Sequence, residues 1–235
     1  MRYFALASDY DGTLADHGTV RPSTLDALKR FRDTGRQLLM ITGRELPDLM
    51  SVFPEYEVFH WIVGENGAVL FETATNNEIL LSEPPPPQFA ETLRRKNVAP
   101  LDVGRVIIAT LDDQKEKVLE TIHEFGLELQ IIFNKGSLMV LPAGIDKASG
   151  LKACLRKISL SLHNIVGVGD AENDHAFLSI CERSAAVSNA LTALKEQSDL
   201  VTAGSYGAGV AELIEQILAD DLASVPARHR LATAF

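Results

Sequence analysis

The chain has 235 residues, 46% of them apolar and 23% charged, and its 32 acidic against 22 basic side chains leave a formal charge of −10. Such figures are ordinary for a globular protein of one large domain, or of one domain carrying an insertion. They argue against general nucleic-acid binding, which needs Lys and Arg to neutralise phosphates, and no apolar run approaches the ~18 residues of a membrane span. The opening MRYFALAS meets a charged turn too soon for a secretory signal. Cys154 and Cys181 are too few for a disulfide framework or a zinc cluster, and read as buried thiols of a reducing cytoplasm.

In chain order, strand and helix alternate. Residues 3–7 form a short apolar run, read as a buried strand. Ser23 is expected to cap a helix with Leu25, Leu28 and Phe31 on one face and Gly35 as its stop. Residues 37–41 form the next strand, followed by Thr42-Gly43-Arg44 and a short helix around Leu46, Leu49 and Met50. Strands at 60–63 and 68–71 flank the turn Glu65-Asn66-Gly67. This rhythm predicts an α/β fold with a doubly wound, mainly parallel, Rossmann-like sheet.

Four prolines, Pro84 to Pro87, interrupt it as a semi-rigid spacer. Beyond them we expect a helix to about Lys96, a strand at 105–110, a helix at 114–125, and strands at 129–133 and 138–141 joined by the turn Asn134-Lys135-Gly136 as a hairpin. Residues 84–142 thus read as an inserted α+β unit between two parts, 1–83 and 143–219, of one core. The alternation then resumes with a helix at 147–158, a strand at 164–169, a helix at 172–181, strands at 184–188 and 199–202, and a helix at 209–218. The tail, 220–235, has weak periodicity and no evident partner.

In an open α/β sheet, ligands bind beyond the carboxyl ends of the strands. There the sequence places Asp9 and Asp11 after the first strand, Thr42 and Gly43 after the second, and Asp170, Asn173 and Asp174 after the strand at 164–169. Lys147 opens a helix on the same edge. Singly, each has a bland reading: Asp11-Gly12 as a turn, Thr42-Gly43 as a loop, Asp170 as a helix cap, Lys147 as a solvated lysine. Together they would bring up to four carboxylates into one crevice, which cannot all ionise unless a cation is present or one keeps its proton. A Mg²⁺ ion and Lys147 balance three carboxylates if Asp11 stays protonated. Magnesium commonly bridges carboxylates to a substrate phosphate.

Roles follow from position. Asp9 is the candidate nucleophile of an aspartyl-phosphate mechanism. Asp11, two residues on, is placed to protonate the leaving alcohol and then deprotonate water. The Thr42 hydroxyl and the Gly43 amide would donate to phosphate oxygens, and Lys147 would offset charge on nucleophile and phosphoryl group. Asp170 would bind the metal, with Asp174 either a ligand beside it or a support for one. Lys135 and Asn134 could instead reach the anionic end of a substrate from an otherwise exposed turn. Trp61 reads as core and His175 as a surface side chain.

DYDGTLA at Asp9–Ala15, ITGR at Ile41–Arg44, Lys147 within GIDKASGL, and GVGDAENDHAFL at Gly167–Leu178 resemble the four signature motifs of haloacid-dehalogenase-type phosphatases. ENGA at Glu65–Ala68 and SDLVTAGSYGAGV near the end are similar to the Cof-like branch, whose type IIB α/β cap lies between the second and third motifs. The resemblance implies Mg²⁺ held by Asp9, the main-chain carbonyl of Asp11 and Asp170, with Asp174 close by, and phosphate held by Asn173 and Lys147. It implies a small phosphate ester, with phosphoglycolate or a sugar phosphate the first expectation. It also leaves open a homo-oligomer, or a downstream ATPase domain joined through the tail.

Three alternatives stand beside it. A receiver-domain phosphoacceptor is about half this length and places its phosphoacceptor after a middle strand. A phosphomutase on the same scaffold would require a bisphosphate activator. A catalytically idle regulatory module sits poorly with intact Asp9, Asp11, Lys147 and Asp170. No dinucleotide fingerprint, P-loop or G-x-S-x-G elbow is present, and the six histidines lack H-x-x-x-H spacing.

Overall fold

The computed structural model describes residues 1–226; His229 and the rest of the predicted tail beyond Pro226 lie outside the described residues. Strands β1 (Ala5–Ser8), β2 (Gln37–Ile41) and β3 (Trp61–Gly64) alternate with helices α1 (Pro22–Asp33) and α2 (Leu46–Val52). Strands β4 (Val69–Glu72) and β5 (Asn77–Leu80) follow directly. Then come α3 (Pro87–Arg95), β6 (Asp102–Val103), β7 (Ile108–Leu111), α4 (Lys115–Phe125), β8 (Leu129–Asn134) and β9 (Ser137–Pro142). The chain closes with α5 (Lys147–Lys157), β10 (Ile165–Gly169), α6 (His175–Ile180), β11 (Arg183–Ala186), α7 (Thr192–Gln197), β12 (Leu200–Val201) and α8 (Tyr206–Asp220).

The main sheet has eight strands in the order β12-β11-β10-β1-β2-β3-β4-β5. From β12 to β3 every pairing is parallel, and β4 and β5 add an antiparallel edge. Strands β1, β3 and β10 are buried throughout, as expected for parallel strands covered by helices on both faces. A second sheet, β6-β7-β9-β8, is antiparallel. Helices α3 and α4 give it its own apolar core, built from Phe89, Leu93, Val118, Leu138 and Val140. A separate cluster of Val106, Ile107, Met139 and Leu141 packs with Ala68 of the β3–β4 turn, so apolar contact holds the two sheets together. Each such fully buried side chain contributes about 1.5–3 kcal/mol.

Several local expectations change. The N-cap of α1 is Arg21, not Ser23, because Pro22 takes the first helical position, where its missing N–H is harmless. Pro87 likewise opens α3, so the proline run ends inside a helix. The expected helix at 172–181 is a 3₁₀ turn, Glu172–Asp174, followed by the short α6. There the Asp174 carboxylate turns back to accept the amides of Asp170 and Ala171. Strands β5 and β6 and helix α7 were not anticipated.

The hairpin turn contains two residues, Lys135 and Gly136, since Asn134 pairs with Ser137. Cys154 and Cys181 are buried thiols, not joined in a disulfide, as expected. Trp61 belongs to the core. Just past α8, Asp221 accepts from the Arg2 amide and Arg36, and Leu222 enters the core, so this part of the tail has partners.

Candidate active site

Strand β1 lies between β10 and β2, at the point where the order of a doubly wound sheet reverses and a crevice opens beyond the carboxyl ends. The Asp9 amide continues the ladder by donating to the Val168 carbonyl (3.0 Å). Asp9 therefore leaves the sheet beside Asp170, the residue after β10. Between them the chain turns at Gly12, whose φ of +88° suits glycine, and a Cβ there would collide with the Asp170 carboxylate and the Lys135 ammonium.

Lys147 is the first residue of α5. A capping box between Asp146 and Ser149 fixes that helix start. Its Nζ lies 2.6 Å from Asp9 Oδ1 and 2.6 Å from Asp174 Oδ1, with the side chain only 1% exposed. Burial alone would lower the lysine pKa, but the Asp174 and Asp9 charges outweigh it and hold the ammonium charged. Burial pushes the Asp9 carboxyl up to about 8, and the Asp174 charge adds to it against the pull of Lys147. Asp170 is also raised, mainly by burial, against its contact with Lys135.

Carboxylate oxygens of Asp9, Asp170 and Asp174 lie within 4.8 Å of one another, all buried. Three carboxylates face two ammonium groups, Lys147 and Lys135, so one negative charge has no partner in the cluster. An all-oxygen donor set with a charge deficit fits a hard divalent cation. Asp174 has one oxygen on Lys147 and the other on two amides, so it orients both the lysine and the Asp170 loop.

The Asp11 carboxylate is not in this cluster. Both its oxygens accept from Arg44, Oδ2 from Nε and Oδ1 from Nη2, each at 2.7 Å. That fork is the pattern of an ionised carboxylate with no proton to give. It replaces the expected crevice of four acids with a protonated Asp11 by three acids and a separate ion pair. Arg44 also reaches Asp48 (2.5 Å) and stacks over Tyr10.

Thr42 is buried; its hydroxyl oxygen accepts from the Arg44 amide (3.1 Å), which leaves the hydroxyl proton free for another acceptor. Asn173 donates to Asn66 (3.1 Å), and its own buried oxygen has no partner. Both sheets line a cavity of about 430 Å³: Asp9, Arg44, Lys147 and Asn173 on the core side, Lys135 and Met139 on the other. Gly43 lines it too. Lys135 reaches Asp170 Oδ2 at 2.6 Å. His175 lies at the surface against Gln197.

Two residues given no role from the sequence take one here. Arg44 was visible only as the last letter of ITGR. Glu65 is 1% exposed, and its carboxylate accepts three backbone amides of the second unit: Arg105 (2.8 Å), Val106 (2.8 Å) and Ile107 (2.9 Å). This is why β7 starts at Ile108 rather than 105. Nothing in the sequence marks those partners, which are main-chain groups some forty positions away. Glu65→Gln, which puts an amide donor against those N–H groups, is expected to lower unfolding free energy by about 2–3 kcal/mol. It should also speed hydrogen exchange of amides 105–107; unchanged exchange there would disprove the anchoring role.

The sequence model of the haloacid dehalogenase-like hydrolases matches residues 6–97 and 90–214. The chain belongs to that family. It is a haloacid dehalogenase-like phosphatase, 29% identical to phosphoglycolate phosphatase 2 of Saccharolobus solfataricus over an alignment that covers 91% of each chain. Among solved structures, a Thermoplasma acidophilum protein superposes with a TM-score of 0.78 at 18% identity, covering 93% of this chain and 99% of that one. A haloacid dehalogenase subclass IIB sugar phosphatase does so with a TM-score of 0.73 at 19% identity, covering 91% and 98%. At those identities the likeness is one of fold, and the fold is the haloacid dehalogenase core with its inserted α+β unit. No helix among the described residues is long and apolar enough to cross a membrane.

Proposed function

We propose that this phosphatase hydrolyses a small phosphate monoester through a phosphoaspartyl intermediate on Asp9, with a divalent cation, Mg²⁺, held by Asp9 and Asp170. The observation that carries the reading is the buried triad of Asp9, Asp170 and Asp174, with Lys147 bridging Asp9 and Asp174, at the carboxyl edge of the parallel sheet. The ion supplies positive charge that stabilises the transferring phosphoryl group. The main-chain carbonyl of Asp11 is a further oxygen available to it, and Asp174 acts by orienting Lys147 and the Asp170 loop.

A carboxylate oxygen of Asp9 attacks phosphorus, and the P–O bond to the alcohol breaks. Asp11 gives a proton to the departing oxygen, then takes one from the water that attacks the aspartyl phosphate, releasing inorganic phosphate and restoring Asp9. To enter that cycle Asp11 must leave the Arg44 fork and pick up a proton. Lys147, Asn173, the Thr42 hydroxyl and the Gly43 amide bind the non-bridging oxygens. Residues 84–142 act as a cap over the pocket, seated by Glu65.

The pocket favours a small substrate, since about 430 Å³ lies near the low end of small-molecule sites. Phosphoglycolate is the leading candidate: the Saccharolobus relative is named for it, and Arg44 and Lys135 line the cavity as cations for a substrate carboxylate. The test is phosphate release from an aryl phosphate and from 2-phosphoglycolate, with Mg²⁺ and after EDTA. Chelation is expected to cut the rate by roughly 10³-fold, the equivalent of several kcal/mol. Activity surviving full chelation would overturn the metal assignment, and no preference for 2-phosphoglycolate over other phosphorylated metabolites would overturn the substrate.

A further inference from the structure

Lys135 occupies an unfavourable place. It is the first residue of a two-residue hairpin turn, with φ +48° followed by Gly136 at +83°. That geometry favours Asn, Asp or Gly and resists a long side chain. A strained conformation held by its surroundings points to a use for the residue that needs it. Here the strain aims the ammonium out of the cap and into the core, where it meets Asp170, a carboxylate only 2% exposed, at 2.6 Å.

The partners of Asp170 leave little room for two cations. Its Oδ1 accepts the Thr13 hydroxyl (3.1 Å) and its Oδ2 accepts Lys135. The ammonium is pressed against the backbone at Gly12, where even a Cβ would not fit. A divalent ion at Oδ2 would sit within a few ångström of that ammonium, and two cations so close repel strongly in a buried site. Charge leads to the same exclusion. Three carboxylates with Lys147 and one divalent ion are neutral, whereas keeping Lys135 in place as well leaves a positive excess.

We propose that Lys135 is a tethered counter-ion of Asp170, seated there by the cap when no divalent ion is bound and displaced from it when one binds. The inference rests on the reading of Asp170 as a metal ligand. It lowers the net charge of the bare pocket from two negatives to one and couples ion binding to release of the cap hairpin. The resident ammonium also sets the apparent ion affinity below what the carboxylates alone would give.

The test is calorimetric titration of chelator-stripped protein with Mg²⁺ alone, comparing wild type with Lys135→Asn and Lys135→Arg. Asparagine suits the turn, so Lys135→Asn is expected to fold and to bind the ion about tenfold more tightly, the equivalent of about 1.4 kcal/mol. Arginine keeps the charge and should stay near wild type. Unchanged or weaker binding in Lys135→Asn overturns the counter-ion proposal. Asp170→Asn serves as the separate control: binding that survives it overturns the metal reading itself. Binding that Asp170→Asn abolishes but Lys135→Asn does not tighten overturns the counter-ion proposal alone.

Discussion

Asp9→Asn is expected to reduce kcat by roughly 10⁵-fold, the scale seen when a covalent nucleophile is removed, while the protein keeps its fold. The amide has nearly the same shape but cannot form the acyl phosphate. The same variant has a second signature, in stability. The Asp9 carboxyl is pushed up to about 8, first by burial and then by Asp174. Between its ordinary value of 3.8 and about 8, the folded protein therefore holds more protons than the unfolded chain. Folding stability contributed by this group falls as pH rises through that window. Asp9→Asn lacks the titration, so in EDTA the thermal midpoint of the variant should gain on wild type between about pH 5 and about pH 8. A gap that stays constant with pH would remove the account of Asp9 as a buried acid in search of a cation. Rapid turnover by the variant would displace it as nucleophile.

Lys147→Met should be the most damaging single change to the fold. Its ammonium is the shared partner of Asp9 and Asp174, both buried, and removing one member of a buried ionic group costs about 3–5 kcal/mol. Methionine keeps most of the side-chain volume over Phe177, so the loss measured by denaturant unfolding reports charge more than packing. Adding Asp174→Asn should recover part of the stability, because one stranded carboxylate is gone, and phosphatase activity should remain absent. If the double variant is as unstable as the sum of the single ones, Lys147 and Asp174 are not coupled and the triad is not a unit.

Much of this site is legible along the chain because alternating strand and helix place every parallel strand's carboxyl end on one edge. Asp9, Asp170 and Asp174 follow β1 and β10, and those strands are neighbours, so their acids meet. Lys147 joins them from the start of a helix on the same edge. The weaker elements were invisible for physical reasons. Strand β5, Asn77–Leu80, is mostly exposed and carries no alternation; β6 has only two residues. The helix at 172–181 breaks because Asp174 spends a carboxylate oxygen on the two amides just before it, a choice made by the site rather than by helical periodicity.

Asp11 shows the limit most clearly. Its spacing two residues after Asp9 is right for a share in the same crevice, but its carboxylate is taken by Arg44, 33 residues away on another loop. Glu65 finds main-chain amides of the inserted unit, and Lys135 finds Asp170 across the gap between two sheets. Linear order was enough to specify the alternation, the buried strands, the insertion after the prolines and the edge at which acids and lysine gather. Which cation each acid holds depended on the folded chain, because an ion pair is decided by approach to within about 3 Å, and residues 27 to 138 positions apart come that close only once the chain has folded.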